Sequence, residues 1–339
     1  MSRVIEVKTG TRLHFGPLAS GATQGRCFGG IGMMVAQPAI SFRVSEHHEE
    51  HFAGCSSATM ERIRSIRATW ESGSGAAVSS STGQAAELRS IPPLSWKFDT
   101  APVEHAGFGT GTQLSLAVAS VLAQFEGSAP LSSRELAQRS GRGLRSAIGL
   151  HGFAAGGFLV DAGKAGQGAL GDLAIRLPVP EEWRVVIIRP RHASPGLSGA
   201  KERAAFEALP PMTSQLTDRL CRLTLMEILP AIGSGDCAGF GAAVSEYGRL
   251  IGEYFSPVQG GVFADPQIRD IVLAHPLIGH GLVQSSWGPS VVTFTPSASA
   301  ADDLCREWES VLSPAQWQID ISLPLNHGAM IHPPRGSCE

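Results

Sequence analysis

The sequence predicts an α+β protein of two domains, 1–178 and 179–339. Three observations lead there. A chain of 339 residues is long enough for two separate cores. Strand-like and helical segments are interleaved in an order that suits an α+β sandwich. Pro178 and Pro180 interrupt the pattern just before the continuous apolar strand "WRVVIIRP".

The elements follow in chain order. "VIEVKTGTRLHFG" alternates like a strand and ends in a glycine turn, and "GGIGMMVAQPAISFRVSE" reads as two strands broken at Gln37-Pro38. Met60, Ile63, Ile66 and Trp70 repeat at helical spacing over Ser57–Trp70. "LSWKFDTAPVEH" returns to strand, and the nearly all-apolar run Leu114–Phe125 fits a helix buried under a sheet. "LSSRELAQRSGRG" opens with a serine cap and places Glu135 in the first turn. In the second half, helices are expected at 211–229, 236–251, 266–274 and 299–312. Strands "HGLVQSSWG", "SVVTFTP" and "WQIDISLPL" lie among them, a pattern that suggests a ferredoxin-like second domain.

Composition excludes several classes. Net charge is −3 and no basic block stands out, so nucleic-acid binding has little electrostatic support. The N-terminus does not read as a signal peptide, no apolar run approaches a membrane span, and the six cysteines are scattered without C-x-x-C. A reduced, cytoplasmic protein is expected. Arginine outnumbers lysine, which suits anionic ligands but equally follows from codon composition.

The strongest chemical signal is "HAGFGTGTQL". Gly107, Gly109 and Gly111 let the backbone approach a ligand, Thr110 and Thr112 offer hydroxyls, and a helix beginning near Thr112 and Gln113 turns free amides toward the loop. Such a loop favours phosphate or pyrophosphate over a merely structural turn. It is neither a Walker A loop, which needs Gly-Lys-Ser/Thr, nor the dinucleotide G-x-G-x-x-G. "GRGLRSAIGLHGFAAGG" brings Arg142, Arg145 and His151 among glycines, where they could converge on an anion or merely decorate a loop. Arg12, His14 and Arg26 bracket the first strand turn. "QSSWGPS" offers Ser285, Ser286 and the indole of Trp287, which could stack on a planar substrate or fill the core. His47, His51 and Cys55 do not form H-E-x-x-H, so a solvated loop outweighs a metal site there. Asp302-Asp303 opens a helix and does not look like an acidic pair for ribose hydroxyls.

"TRLHFG", "RCFGGIG", "HAGFGTGTQLSLAVA", "GRGLRSAIGLHGFAAGGFLVDAG", "GEYFSPVQGG", "QSSWGPSVV" and "NHGA" stand in an order that resembles the β-ribofuranosylaminobenzene 5′-phosphate synthase family of the GHMP kinase superfamily. The resemblance implies a GHMP-kinase-like fold, with an N-terminal ribosomal-S5-like domain and a C-terminal ferredoxin-like domain. It also implies a decarboxylating C-ribosyltransferase acting early in tetrahydromethanopterin biosynthesis. Phosphoribosyl pyrophosphate would join 4-aminobenzoate or 4-hydroxybenzoate, releasing CO2 and pyrophosphate, with Mg²⁺ on the pyrophosphate. Arg26, His14, Arg145, His151 and Asp161 are the candidate catalytic residues. Arg12, Gly107, Gly109, Thr110, Gly111, Thr112, Gln113, Arg142, Ser285, Ser286 and Trp287 are the candidate binding residues. Phe28 is a second candidate for positioning the substrate ring.

Two departures matter. Gly149 stands where a GHMP kinase with the S-G-x-D segment carries its catalytic carboxylate, although nearby Asp161 keeps an ATP-dependent small-molecule kinase as the alternative. Ala19 stands where some members carry an acid after the "LHFG" turn. A ligand-binding relative without turnover is the third alternative, and a homodimer is expected on general frequency alone.

Overall fold

The structure is a computed structural model that describes residues 3–21, 25–72, 90–104, 106–141, 146–166, 169–191, 204–205, 208–275 and 281–332. Two sheets organise it. In the first, β1 (Val4–Ala19) and β2 (Phe28–Glu46) form a long antiparallel hairpin. β4 (Leu94–Thr100) pairs with β2, and the short β3 (His51–Ala53) runs parallel to β4. Beside the upper half of β2 lie β5 (Phe158–Asp161) and β6 (Leu173–Leu177). The last described strand, β11 (Met330–His332), returns to pair with β1, so the chain closes its first sheet with its own final segment.

The second sheet orders β10 (Trp317–Ser322), β7 (Arg184–Pro190), β9 (Val291–Thr295) and β8 (Val283–Gln284), all antiparallel. β7 shows why its sequence is continuously apolar. Val185 and Ile187 enter one core while Val186 and Ile188 enter another, so both faces are covered.

Helices α1 (Ser57–Glu71), α2 (Thr110–Glu126), α3 (Ser133–Arg139) and α4 (Ile148–Ala155) accompany the first sheet, and apolar residues of all four share one core with its strands. Ser132 and Glu135 close the expected capping box on α3. The second half adds α5 (Ser214–Leu223), a π-turn at Thr224–Ile228, α6 (Leu229–Ser234), α7 (Cys237–Gln259), α8 (Pro266–Ala274) and α9 (Ala298–Val311). The largest core joins Leu13, Phe15, Ile31 and Phe158 of the first sheet to Trp183, Phe240, Tyr247 and Phe294 of the second half.

Three expectations are corrected. β2 does not break into two strands at Gln37-Pro38. It runs through as a bulge, because β1 pairing jumps from Thr9–Ile40 to Thr11–Val35. The amides freed there bond elsewhere, Ala36 to the Leu323 carbonyl at 2.9 Å and Gln37 to Ser322 Oγ at 2.8 Å. The helix expected over 211–229 is interrupted by the π-turn, and the one expected over 236–251 extends to Gln259.

Candidate active site

The glycine loop caps α2 with backbone alone. Gly109 takes the N-cap place at φ +62°, a left-handed conformation costly for any residue with a Cβ, and no side chain caps the helix. Its carbonyl accepts from the amides of Thr112 at 2.9 Å and Gln113 at 3.3 Å. The amides of Thr110 and Gly111 have no carbonyl one turn earlier to bond and mark the positive end of a 17-residue helix. Gly107, Gly109, Gly111 and Thr112 are half-buried, so the backbone is sheltered but reachable.

Arg12 brings a permanent positive charge to this point. Its side chain lies 2.8 Å from where a Cβ on Gly109 would stand, and its Nη1 donates to the Gly107 carbonyl at 3.2 Å. The backbone joins the same two segments through Arg12 N–H and the Phe108 carbonyl at 3.0 Å. Two residues further along β1, register slips between His14 and Gly16. Nε2 of His14 lies 3.2 Å from the place of a Cβ on Gly30, so the absence of a side chain at position 30 makes room for the imidazole. Gly30 is paired with Asp161 on β5.

The third wall is the loop between β8 and β9. Ser285 Oγ donates to the Gly107 carbonyl at 2.9 Å and accepts from His14 N–H at 3.2 Å, and Ser286 N–H donates to the His14 carbonyl at 2.7 Å. Three stretches singled out in the sequence, around Arg12–His14, Gly107–Thr112 and Ser285–Ser286, therefore meet in one place.

Other candidates have different surroundings. Gln113 is fully buried. Its amide donates to the Gly149 carbonyl at 2.8 Å and its carbonyl accepts from Thr9 at 3.1 Å, which ties α2 to α4 and β1. Thr110 Oγ1 donates to the Val103 carbonyl at 2.9 Å. Trp287 is 5% exposed and stacks on Phe255 with centroids 4.2 Å apart, within the core.

A second cluster adjoins the first, nearer the turn of the same hairpin. Asp161 is fully buried, with Oδ2 accepting from Ala147 N–H at 2.7 Å and Oδ1 from Gly163 N–H at 2.8 Å. Burial pushes its pKa up, against the opposing pull of those two amides and of His151 and Lys164. His151 reaches the Gly171 carbonyl at 3.0 Å. Arg26 donates to the carbonyls of Ala162 at 2.9 Å and Gly163 at 2.7 Å and pairs with Asp172, which Arg134 also reaches at 3.0 Å. The Arg26 and Arg134 guanidiniums hold the Asp172 carboxyl below its ordinary range. Phe28, at φ +68°, carries the ammonium of Lys164 4.8 Å above its ring. Ala19 ends β1 opposite Phe28. Arg142 and Arg145 lie outside the described residues, as does His105.

Lys164, Asp172 and Tyr247 were not singled out from the sequence. Tyr247 is fully buried and its hydroxyl donates to the Gly16 carbonyl at 3.1 Å, at the irregular turn beside His14. Isolated residues on apolar helices or after glycine turns carry no pattern, so nothing in the sequence marks these three. Gly149 has no carboxylate to offer, and Asp161 spends both oxygens on amides. Among the described residues no three His, Cys, Asp or Glu side chains gather to hold a metal. These residues therefore do not fit a protein-built Mg²⁺ cage.

No family model matches the chain. Three curated relatives are each named β-ribofuranosylphenol 5′-phosphate synthase. The protein of Methanothermobacter thermautotrophicus is 35% identical over 204 residues, 56% of this chain and 60% of its own length. That of Archaeoglobus fulgidus is 27% identical over 273 residues, 73% and 80% of the two chains. That of Methanocaldococcus jannaschii is 25% identical over 311 residues, 85% and 88%. Among solved structures, mevalonate-3-kinase of Thermoplasma acidophilum superposes with a TM-score of 0.61 at 12% identity, covering 99% of this chain and 100% of its own. Mevalonate diphosphate decarboxylase of Staphylococcus aureus gives 0.62 at 13%, covering 98% of each chain. The chain is thus similar to proteins named β-ribofuranosylphenol 5′-phosphate synthase, and its α+β fold is that of the mevalonate-3-kinase and mevalonate diphosphate decarboxylase structures, as expected from the resemblance.

Proposed function

We propose that the protein is a decarboxylating C-ribosyltransferase that joins phosphoribosyl pyrophosphate to a 4-substituted benzoate and releases CO2 and pyrophosphate. The observation that carries this is the uncapped N-terminus of α2 with the Arg12 guanidinium lodged against Gly109. That arrangement suits a leaving pyrophosphate, whose growing negative charge meets fixed amide dipoles and a permanent cation. The relatives' name favours the hydroxyl arm, since a ribofuranosylphenol is what 4-hydroxybenzoate yields when its carboxyl is lost.

In bond terms, the bond from ribose C1 to pyrophosphate breaks and its electrons leave with pyrophosphate. The ring carbon that bears the carboxylate donates a pair to C1. The carbon–carboxylate bond then breaks, its electrons restore the aromatic ring, and CO2 departs. Arg12 and the amides of Thr110 and Gly111 hold the departing group, and His14 stands beside them for the 5′-phosphate. Arg26 and Arg145 remain the candidates for gripping the benzoate carboxylate. Mg²⁺, which the resemblance implies, would arrive on pyrophosphate oxygens and water, and no step here depends on a protein-held ion.

The test is release of labelled CO2 from carboxyl-labelled 4-hydroxybenzoate or 4-aminobenzoate with phosphoribosyl pyrophosphate and Mg²⁺. Release dependent on phosphoribosyl pyrophosphate supports the proposal, and no release across a panel of such benzoates overturns it. ATP hydrolysis stimulated by a small alcohol would favour the kinase. Binding of phosphoribosyl pyrophosphate without turnover in either assay would favour a non-catalytic relative. Placement in tetrahydromethanopterin biosynthesis, in the cytoplasm and as a homodimer belongs to the same proposal. No helix among the described residues is long and apolar enough to cross a membrane.

A further inference from the structure

We infer that Ser285 is a positioning residue whose hydroxyl holds the glycine loop and the His14 turn of β1 in one fixed relation. The inference rests on the proposed role of that loop as the pyrophosphate site. Ser285 is fully buried. A serine hydroxyl has one donor and two acceptor sites, and both kinds are used here: the Gly107 carbonyl accepts at 2.9 Å and His14 N–H donates at 3.2 Å. Both partners belong to the first half of the chain, 178 and 271 residues away in sequence.

The hydroxyl is mounted rigidly enough for the task. Ser285 N–H donates to the Ser290 carbonyl at 3.0 Å, closing its own loop. The Gln284 side chain bonds Gln259 at 3.2 Å, the Ala264 amide at 2.7 Å and the Ser286 carbonyl at 3.1 Å. Trp287 is stacked on Phe255 of α7. The glycine loop is pressed onto this mount, since a Cβ on Gly107 would stand 2.5 Å from the Ser285 carbonyl. The Gly107 carbonyl also accepts from Arg12 Nη1 at 3.2 Å, so displacing it displaces the guanidinium. One hydroxyl in the second half of the chain therefore sets the cation, the amide array and the imidazole relative to one another, without touching the ligand.

Removing it takes one partner from the Gly107 carbonyl, which keeps Arg12, and one from the buried His14 N–H. The test is calorimetric binding of inorganic pyrophosphate to full-length wild type, Ser285→Ala and Ser245→Ala. Ser245 is the control because its hydroxyl makes a comparable bond, 2.9 Å to the Leu282 carbonyl, that joins neither the glycine loop nor the His14 turn. Ser285→Ala is expected to raise the dissociation constant about tenfold, while Ser245→Ala stays within twofold of wild type at a comparable loss of melting temperature. Binding by Ser285→Ala within twofold of wild type overturns the inference, and so does an equal loss in Ser245→Ala. Wild type that does not bind pyrophosphate overturns the proposed loop role, and this inference with it. Should Ser285→Ala not fold, Ser285→Cys keeps the volume with a weaker donor, and the expected loss is about threefold. No loss in that variant overturns the inference as well.

Discussion

Gly109 shows how one position serves both chain direction and ligand chemistry. Its φ of +62° lets α2 start without a side-chain cap, and its missing Cβ leaves the space that Arg12 fills. Valine there would force a β-branched residue into the left-handed region, at about 1–3 kcal/mol, and would push against the Arg12 side chain. Because that side chain can swing aside, the fold should survive. Gly109→Val is expected to lower the melting temperature by a few degrees while raising the KM for phosphoribosyl pyrophosphate about tenfold or more. A variant with an unchanged KM would disconnect the loop from the pyrophosphate. This much was legible in the sequence, because alternate glycines before an apolar run have few structural uses. Trp287 was not, since a tryptophan in a tight loop reads equally as a stacking platform or as core, and only Phe255, 32 positions earlier, decides between them.

At the scale of elements, the stretch Gly141–Gly157 is the instructive case. Its glycines suggested a loop whose arginines either converge on an anion or merely decorate it; Arg142 and Arg145 lie outside the described residues, while Ile148–Ala155 is a helix with most of its residues buried. Gly152 permits that burial, since a Cβ there would meet Met34 Sδ at 2.4 Å. The helix lacks a side-chain cap of its own and starts at Ala147, whose amide donates to Asp161 on β5. Asp161 thus fixes one helix by a carboxylate borrowed from a strand, which periodicity does not reveal. Asp161→Asn turns an amide donor toward one of two N–H groups and is expected to cost about 1–3 kcal/mol. The pH dependence has a definite sign. Burial raises the folded-state pKa above the unfolded value of about 4, so the folded state takes up a proton first as pH falls. The stability of wild type relative to Asp161→Asn should therefore grow on acidification toward pH of about 4 and shrink as pH rises through the folded-state pKa. Urea unfolding of both proteins between pH of about 4 and 8 reads this directly, and a gap that narrows on acidification would contradict it.

For the molecule as a whole, the two sheets are expected to unfold together, because their largest core is common property. Phe15 meets Phe294 edge-on at 6.1 Å, and Phe158 meets Phe240 at 5.9 Å, so aromatic contacts cross from the first sheet to the second half. The segment after β10, which pairs with the first sheet through β11, also holds the link between the two sheets. Asn326 Oδ1 accepts from Val179 N–H at 2.8 Å and its Nδ2 donates to the Val179 carbonyl at 2.7 Å, a two-way clasp on the segment linking β6 to β7. Arg176 reinforces it by donating to the carbonyls of Ala155 at 3.2 Å, Gly156 at 3.3 Å and Asn326. The prolines at 178 and 180 mark this link in the sequence, but the partner that grips it, more than a hundred residues later, leaves no local trace. Asn326→Ala removes both clasp bonds while Val179 stays 1% exposed, so its N–H and carbonyl lose partners that water cannot readily replace. The expected cost is about 2–3 kcal/mol. Scanning calorimetry should show one cooperative transition for wild type and, for Asn326→Ala, a transition several degrees lower and broadened toward two steps as the halves begin to part. An unchanged transition would mean that the shared core alone couples the halves, and that Asn326 only decorates a junction already fixed by Phe15, Phe158, Phe240 and Phe294.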